Sequence, residues 1–256
     1  MEYAIYPFEE MRITQRHDKG NHLAHWKPLK DWGDKPWDEA CKDINRSYFV
    51  PQNDFKVVEK SGSQEYGYNI RLTSVNKLKI PFKSDLDYLH ITLTHLNYDD
   101  YSKLSVGQII KKNQKILREG MSGNASGNHF HITANLGKYY GFKKNLNGKY
   151  CFAYEKSLLP NEAFYINKEI TTIYSTNGYK FKEASFLPSR GYYKKGDSGE
   201  KISKIDDWFA NKVKGNYFGD YTVAIVKEFQ RQKGLEQDGN IGPITLALMV
   251  KEGFKY

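Results

Sequence analysis

At 256 residues and 39% hydrophobic content, the chain is long enough for one large domain or two smaller ones with real cores, which excludes a disordered polypeptide. No apolar run approaches the about 20 residues of a spanning helix, the first ten residues lack the basic-then-apolar pattern of an export signal, and two cysteines, Cys41 and Cys151, exclude a disulfide scaffold. The balance of 39 basic against 30 acidic residues gives a net charge of +9 and favours a polyanionic partner. The lysines come in ones and twos and no zinc-finger or RNP-type motif is present, so neither nucleic acid nor membrane insertion is expected.

In chain order, the run Gly20-Asn21-His22-Leu23-Ala24-His25-Trp26 supplies two imidazoles, with Asp31, Asp34, Asp38, Glu39 and Asp43 close behind. Segments 55–59, 68–73 and 88–95 alternate apolar and polar residues with period two, separated by Gly, Ser, Asn and Pro, and predict an antiparallel sheet. His95 closes the third of these; Leu89, Ile91 and Leu93 share its face, so it is expected at the rim where the core meets solvent. A small-residue loop, 120–127, leads into Gly127-Asn128-His129-Phe130-His131-Ile132. In a strand, residues two apart share a face, so His129 and His131 stand side by side while Phe130 points the other way. No histidine follows His131, which confines imidazole chemistry to the N-terminal part. Residues 138–186 are aromatic and turn-rich, with a hairpin turn expected at 143–149 and a break at 157–162.

After Leu187-Pro188-Ser189-Arg190-Gly191 the texture becomes helical. Ile202, Ile205, Trp208 and Phe209 recur at three- and four-residue steps, then Val223, Val226, Phe229 and Gln230 before the stop Lys233-Gly234-Leu235, and segment 244–250 closes a three-helix unit. The expected fold is therefore multidomain. A mainly antiparallel β domain spans 1–186, with its core at about 10–137 and a β-rich extension at 138–186; a linker spans 187–193 and a small all-α three-helix domain spans 194–256.

Two histidines, or one histidine and one aspartate, together with His131 would make a three-ligand zinc site with a position left for water, and such water ionises near neutrality. The series from the His-plus-Asp segment through Val50-Pro51, Thr94-His95-Leu96, 106–114 and Gly120 to Ser126-Gly127-Asn128-His129-Phe130-His131 resembles the lysostaphin/LytM-type zinc metallopeptidases, which cut peptide cross-links of peptidoglycan. The resemblance covers roughly 10 to 137. It implies a zinc cofactor, His131 as a ligand, and His129 and His95 flanking the metal-bound water. His129 would then be the general base, with His95 orienting water or stabilising the developing oxyanion. It also asks for one His and one Asp from the N-terminal segment, at a longer spacing than the family's usual one. His22 and Asp38 are chosen because 36–40 precedes Tyr48-Phe49-Val50-Pro51 much as the family's metal Asp precedes its Val-x-Ala-Pro-like strand; His25 and Asp31 are the alternatives. Cys41, near Asp38, is read as a small buried residue.

The C-terminal motifs Gly196-Asp197-Ser198-Gly199, Tyr217-Phe218-Gly219-Asp220-Tyr221-Thr222, Val226-Lys227-Glu228-Phe229-Gln230 and Asp238-Gly239-Asn240-Ile241-Gly242-Pro243 resemble the three-helix peptidoglycan-binding domain along its length. Phe229 and Leu235 are expected in its core, and the ligand groove near Tyr217, Tyr221, Gln230 and Asp238. Both resemblances imply one partner, the peptidoglycan of a bacterial wall, and a modular hydrolase. With no export signal read, the expected setting is a phage endolysin, held in the host cytoplasm until release. A catalytically dead wall-binding protein and an N-acetylmuramoyl-L-alanine amidase are the competing readings.

Overall fold

Short stretches of β-branched and aromatic residues, cut by Gly, Pro and Asn, build a strand-rich first unit in the computed structural model, which describes residues 2–25, 34–41, 47–168, 170–184, 186–188, 190, 192–210 and 215–255. The chain divides into two units, Met1–Ala184 and Ser185–Tyr256. The strands are β1 (Glu10–Gln15), β2 (Trp37–Glu39), β3 (Tyr48–Phe49), β4 (Phe55–Ser61), β5 (Asn69–Ser74), β6 (Leu78–Lys79), β7 (Leu86–Asp87), β8 (His90–Thr94), β9 (Ile109–Ile110), β10 (Leu117–Arg118), β11 (Phe130–Lys144), β12 (Tyr150–Leu158) and β13 (Thr172–Ser175). The helices are α1 (Tyr98–Ser102), α2 (Pro160–Ala163), α3 (Glu200–Ala210), α4 (Asp220–Gln232) and α5 (Pro243–Lys251). Among the described residues no helix is long and apolar enough to cross a membrane.

The main sheet runs β13-β1-β2-β11-β8-β5-β4-β9, with β12 also paired to β11. Neighbours are antiparallel except β1 and β13. Period-two alternation gives the sheet two unlike faces. Ile70, Leu72, Ile91, Leu93, Phe130, Ile132 and Ala134 enter the apolar core, where Tyr6, Phe8, Trp37, Phe49 and Phe164 pack at ring angles far from parallel. The intervening residues of β11, His131, Thr133 and Asn135, sit opposite Thr94, Thr92 and His90 of β8 and make the other face polar.

Segment 138–186 holds the outer half of β11, the turn at 145–149, β12, α2 and β13. The hairpin turn falls where Asn and Gly demand it: the Asn145 side chain accepts from the backbone N–H of Asn147 and Lys149, and Gly148 adopts φ +75°. Pro160 at the first turn of α2 produces the expected break after β12.

In the second unit Ile202, Ile205, Phe218, Val226, Ile241, Leu246 and Met249 form a separate core. The stretch 187–193, read as a linker, corrects that reading: Tyr193 is buried in this core, its ring 5.4 Å from that of Phe186, and its N–H and C=O pair with Ile241. Leu235, expected in the core, is only half-buried.

At Gly120 and Gly123, loop 120–127 lies so close to neighbouring backbone that a side chain is excluded. A Cβ on Gly120 would stand 2.5 Å from the His95 carbonyl oxygen, and one on Gly123 2.6 Å from the Gly67 nitrogen. Gly120→Ala should therefore lower the unfolding free energy by about 1–3 kcal/mol, read from urea midpoints. A wild-type midpoint would show that the loop has room to move.

Candidate metal centre

The antiparallel register places Asp38 of β2 directly opposite His131 of β11, and directly opposed residues share a face. Asp38 Oδ1 lies 3.2 Å from His131 Nδ1. A 3-10 turn, Gly20–Ala24, follows β1 and brings His22 Nε2 to 3.2 Å from the same oxygen. His22, Asp38 and His131 offer one ligand atom each, all within 4.8 Å of one another. A tetrahedral zinc ion with ligands at about 2.0–2.1 Å sets them about 3.3 Å apart, so the two 3.2 Å spacings fit. The donor set fits as well. His22 Nδ1 lies 3.2 Å from the Arg16 carbonyl oxygen, which can only accept, so Nδ1 donates there and Nε2 is the ring nitrogen left to face the carboxylate. Such carbonyl-histidine pairing is the usual support of a metal-binding imidazole.

His95 and His129 complete the cluster. Their ring centroids are 4.7 Å apart, with His95 5.7 Å from His131, and His129 Nε2 is 3.6 Å from Asp38 Oδ1. Each is held by a carbonyl: His129 Nδ1 donates to Gly127 at 2.8 Å and His95 Nδ1 to Ser122 at 2.6 Å. Both therefore turn a proton-accepting Nε2 away from those carbonyls. His95 reaches this position because its backbone is left-handed, φ +63°. That departs from the expected strand face shared with Leu89, Ile91 and Leu93: β8 ends at Thr94, alternation stops, and the ring joins the polar face.

Burial pulls the His95 imidazole down to about 4, reinforced by the neighbouring His131. Burial likewise lowers His131, although Asp38 opposes it. For Asp38, burial raises the carboxyl, but hydrogen bonds and charge from His131 and His22 outweigh it and hold it below the usual range. The carboxylate is thus charged, and the imidazole of His95 neutral, around pH 7. Side-chain exposures of 5% for His22, 13% for Asp38 and 16% for His131 leave the cluster sheltered yet reachable.

His25, the alternative to His22, lies with its ring 5.9 Å from that of His131, and its Nδ1 is 3.5 Å from Asp34 rather than against Asp38. Asp31, Asp43 and Trp26 lie outside the described residues. Glu39 follows Asp38 on the strand and so faces the core, bonded to Tyr6 and to the Arg12 N–H; burial lifts it to about 8. Cys41 Sγ contacts Glu10, and neither cysteine is in a disulfide. His17 and His90 are held elsewhere, against Tyr179 and Tyr154. Sequence reasoning missed the residues that hold the His22 turn. The Arg16 guanidinium lies 4.6 Å over the Tyr179 ring and bonds the Asn177 carbonyl, while Asn145 reaches the carbonyls of Ala24 and His25. Backbone carbonyl partners leave no side-chain signature to find.

In the second unit Tyr217 and Tyr221 are half exposed. Gln230 is not a groove residue: it is 2% exposed, and its amide bonds Asp238 Oδ1, the Asn240 carbonyl and the Gly239 N–H. It stitches α4 to the turn before α5, and Asp238 serves the same turn through the Asn240 N–H.

Residues 187–249 match the family model PG_binding_1, a peptidoglycan binding domain. Among solved structures, the chain is similar to LytU at 19% identity, covering 59% of this chain and 82% of that one, with a TM-score of 0.36. It is similar to a catalytic-domain mutant of the prophage-encoded M23 protein EnpA from Enterococcus faecalis (17% identity, 58% and 93% covered, TM-score 0.32). The catalytic domain of the antimicrobial peptidase lysostaphin from Staphylococcus simulans is 17% identical, with 57% and 85% covered and a TM-score of 0.30. No curated protein matches the chain.

The depressed His95 value sets a pH test. Because the folded imidazole resists a proton that the unfolded one accepts near 6.5, unfolding takes up a proton, and stability falls as pH drops from about 6.5 towards 4 and levels off below. In the metal-free protein the His95 ring signal should stay neutral by NMR down to about pH 4. Titration near 6.5 would mean that the ring is solvated.

Proposed function

We propose that the chain is a zinc-dependent peptidoglycan hydrolase that cleaves the peptide cross-links of a bacterial wall and is targeted there by its C-terminal unit. One observation carries the reading: His22, Asp38 and His131 converge with His95 and His129 at one place, in a chain whose residues 187–249 match a peptidoglycan-binding family. His22, Asp38 and His131 would hold the zinc ion, which would supply a polarising charge for the scissile carbonyl and lower the pKa of a nucleophilic water towards neutrality.

The chain's own groups handle the protons. With Nδ1–H fixed on Gly127, His129 takes the nucleophile's proton at Nε2 as the amide carbonyl is attacked, and returns it to the leaving amine. His95, fixed the same way on Ser122 and neutral, accepts a hydrogen bond from the attacking water and orients it. A neutral Nε2 supports water orientation rather than oxyanion stabilisation, since an oxyanion needs a donor.

The C-terminal unit raises the local concentration of cross-links at the site, so a weakly binding active site suffices on a polymer. The net charge of +9 supports attraction to an anionic wall. Within this reading the chain serves as a phage endolysin, kept in the host cytoplasm until release and then acting on the wall.

His129→Ala is expected to cut cleavage of a soluble cross-link peptide by about 100-fold or more while zinc per chain stays at the wild-type level. Removing 185–256 should lower lysis of whole walls far more than cleavage of that peptide. Undiminished cleavage by His129→Ala would remove the general base, and equal losses on both substrates would remove the division of labour.

A further inference from the structure

The β11–β12 hairpin outgrows the sheet. Residues 130–135 of β11 pair with β2 and β8, whereas beyond Asn135 the strand pairs with β12 alone, and register breaks between Leu136 and Gly141 swing the ribbon out of the sheet's run. Both ends of the ribbon are tied down. At its base the Arg71 guanidinium lies 3.6 Å from the Tyr139 ring centroid and donates to Tyr154 Oη at 2.7 Å. At its tip Asn145 donates to the carbonyls of Ala24 at 2.9 Å and His25 at 3.3 Å, and Asn147 to Ala24 at 3.1 Å. The tip is thereby fixed to the turn that presents His22.

Phe142 opposes Phe152, and Lys144 opposes Tyr150, so these four share one face of the ribbon. The Phe142 and Tyr150 rings stack at 5.2 Å with planes 14° apart, backed by Phe152 at 4.9 Å, yet remain 55% and 54% exposed. Between positions 138 and 150 stand Lys138, Lys143, Lys144 and Lys149 and no acidic residue. A nearly parallel pair of exposed rings, with Lys144 Nζ 5.9 Å from the Tyr150 ring centroid, is an unusual thing to leave in water.

We propose that this face is a platform for the glycan strand of the same wall polymer: the two rings stack against the C–H faces of its sugars, while Lys144 meets a carboxylate of its stem peptides. The assignment rests on the hydrolase reading above for the choice of polymer. The platform's tip is bonded to the segment carrying His22 and His25, and the Lys144 charge complements a carboxylate-bearing strand. A strand lying on the ribbon would run beside the cluster and hold its cross-link near His129.

The test uses the full-length protein and, as probe, soluble uncross-linked glycan strands bearing stem peptides. Binding is read without turnover, beside cleavage of whole walls. Phe142→Ala combined with Tyr150→Ala is expected to weaken strand binding by about tenfold and to lower wall cleavage, with zinc content, unfolding midpoint and cleavage of a short soluble peptide unchanged. Lys144→Gln, which leaves the rings in place, should weaken binding at low salt and match wild type at high salt. Wild-type strand binding by both variants would overturn the platform, as would a loss seen only with anionic phospholipid vesicles. A wild type that binds strands through these rings but cuts no wall would remove the hydrolase reading and leave the platform standing.

Discussion

Asp38 and His131 face each other across two paired strands, and one carboxylate oxygen receives an imidazole nitrogen from each side, His131 across the pairing and His22 from the turn beyond β1. That register constrains the rest of the centre. A one-residue slip of β2 would bring Glu39 to the polar face and send Asp38 into the core. The chain guards the register from the other face, where Glu39 is bonded by Tyr6 and the Arg12 N–H, and Trp37 and Phe130 are fully buried. Packing on the apolar side thus fixes where the chemistry sits on the polar side.

Around that pair the other imidazoles are held by backbone carbonyls. Arg16, Ser122 and Gly127 each accept from an Nδ1–H, so on three rings Nδ1 is engaged and Nε2 is the remaining ring nitrogen. Ser122 and Gly127 belong to the loop whose Gly120 and Gly123 touch backbone at 95–97 and 66–67, which links the tightness of that loop to the aim of two histidines. The left-handed backbone at His95 is the local strain that this aim requires.

Much of this was legible in the sequence. Period-two alternation placed β5, β8 and the His129–His131 pair, because each strand has one face in a core; helical spacing placed α3 to α5, because each helix buries one stripe. Pairing Asp38 with His22 across a long gap needed the resemblance to a known family, since no spacing rule links residues so far apart in sequence. The positive φ at His95, the anchoring of the His22 turn by Tyr179 and Asn145, and the internal bonding of Gln230 were not legible: each depends on contacts between segments far apart in sequence. Residues 187–193 read as a linker from their Pro and Gly, yet Tyr193 finds a partner in Ile241, a tertiary contact that composition does not encode.

The central claim is that His22, Asp38 and His131 form one metal centre, and bound zinc per chain tests it most directly. Elemental analysis of wild type, His22→Ala, Asp38→Ala, His131→Ala and, as a neighbour outside the set, His25→Ala should give near-stoichiometric zinc in wild type and in His25→Ala and a large loss in the other three. Stoichiometric zinc that survives all three substitutions, or a loss caused by His25→Ala alone, would contradict the account.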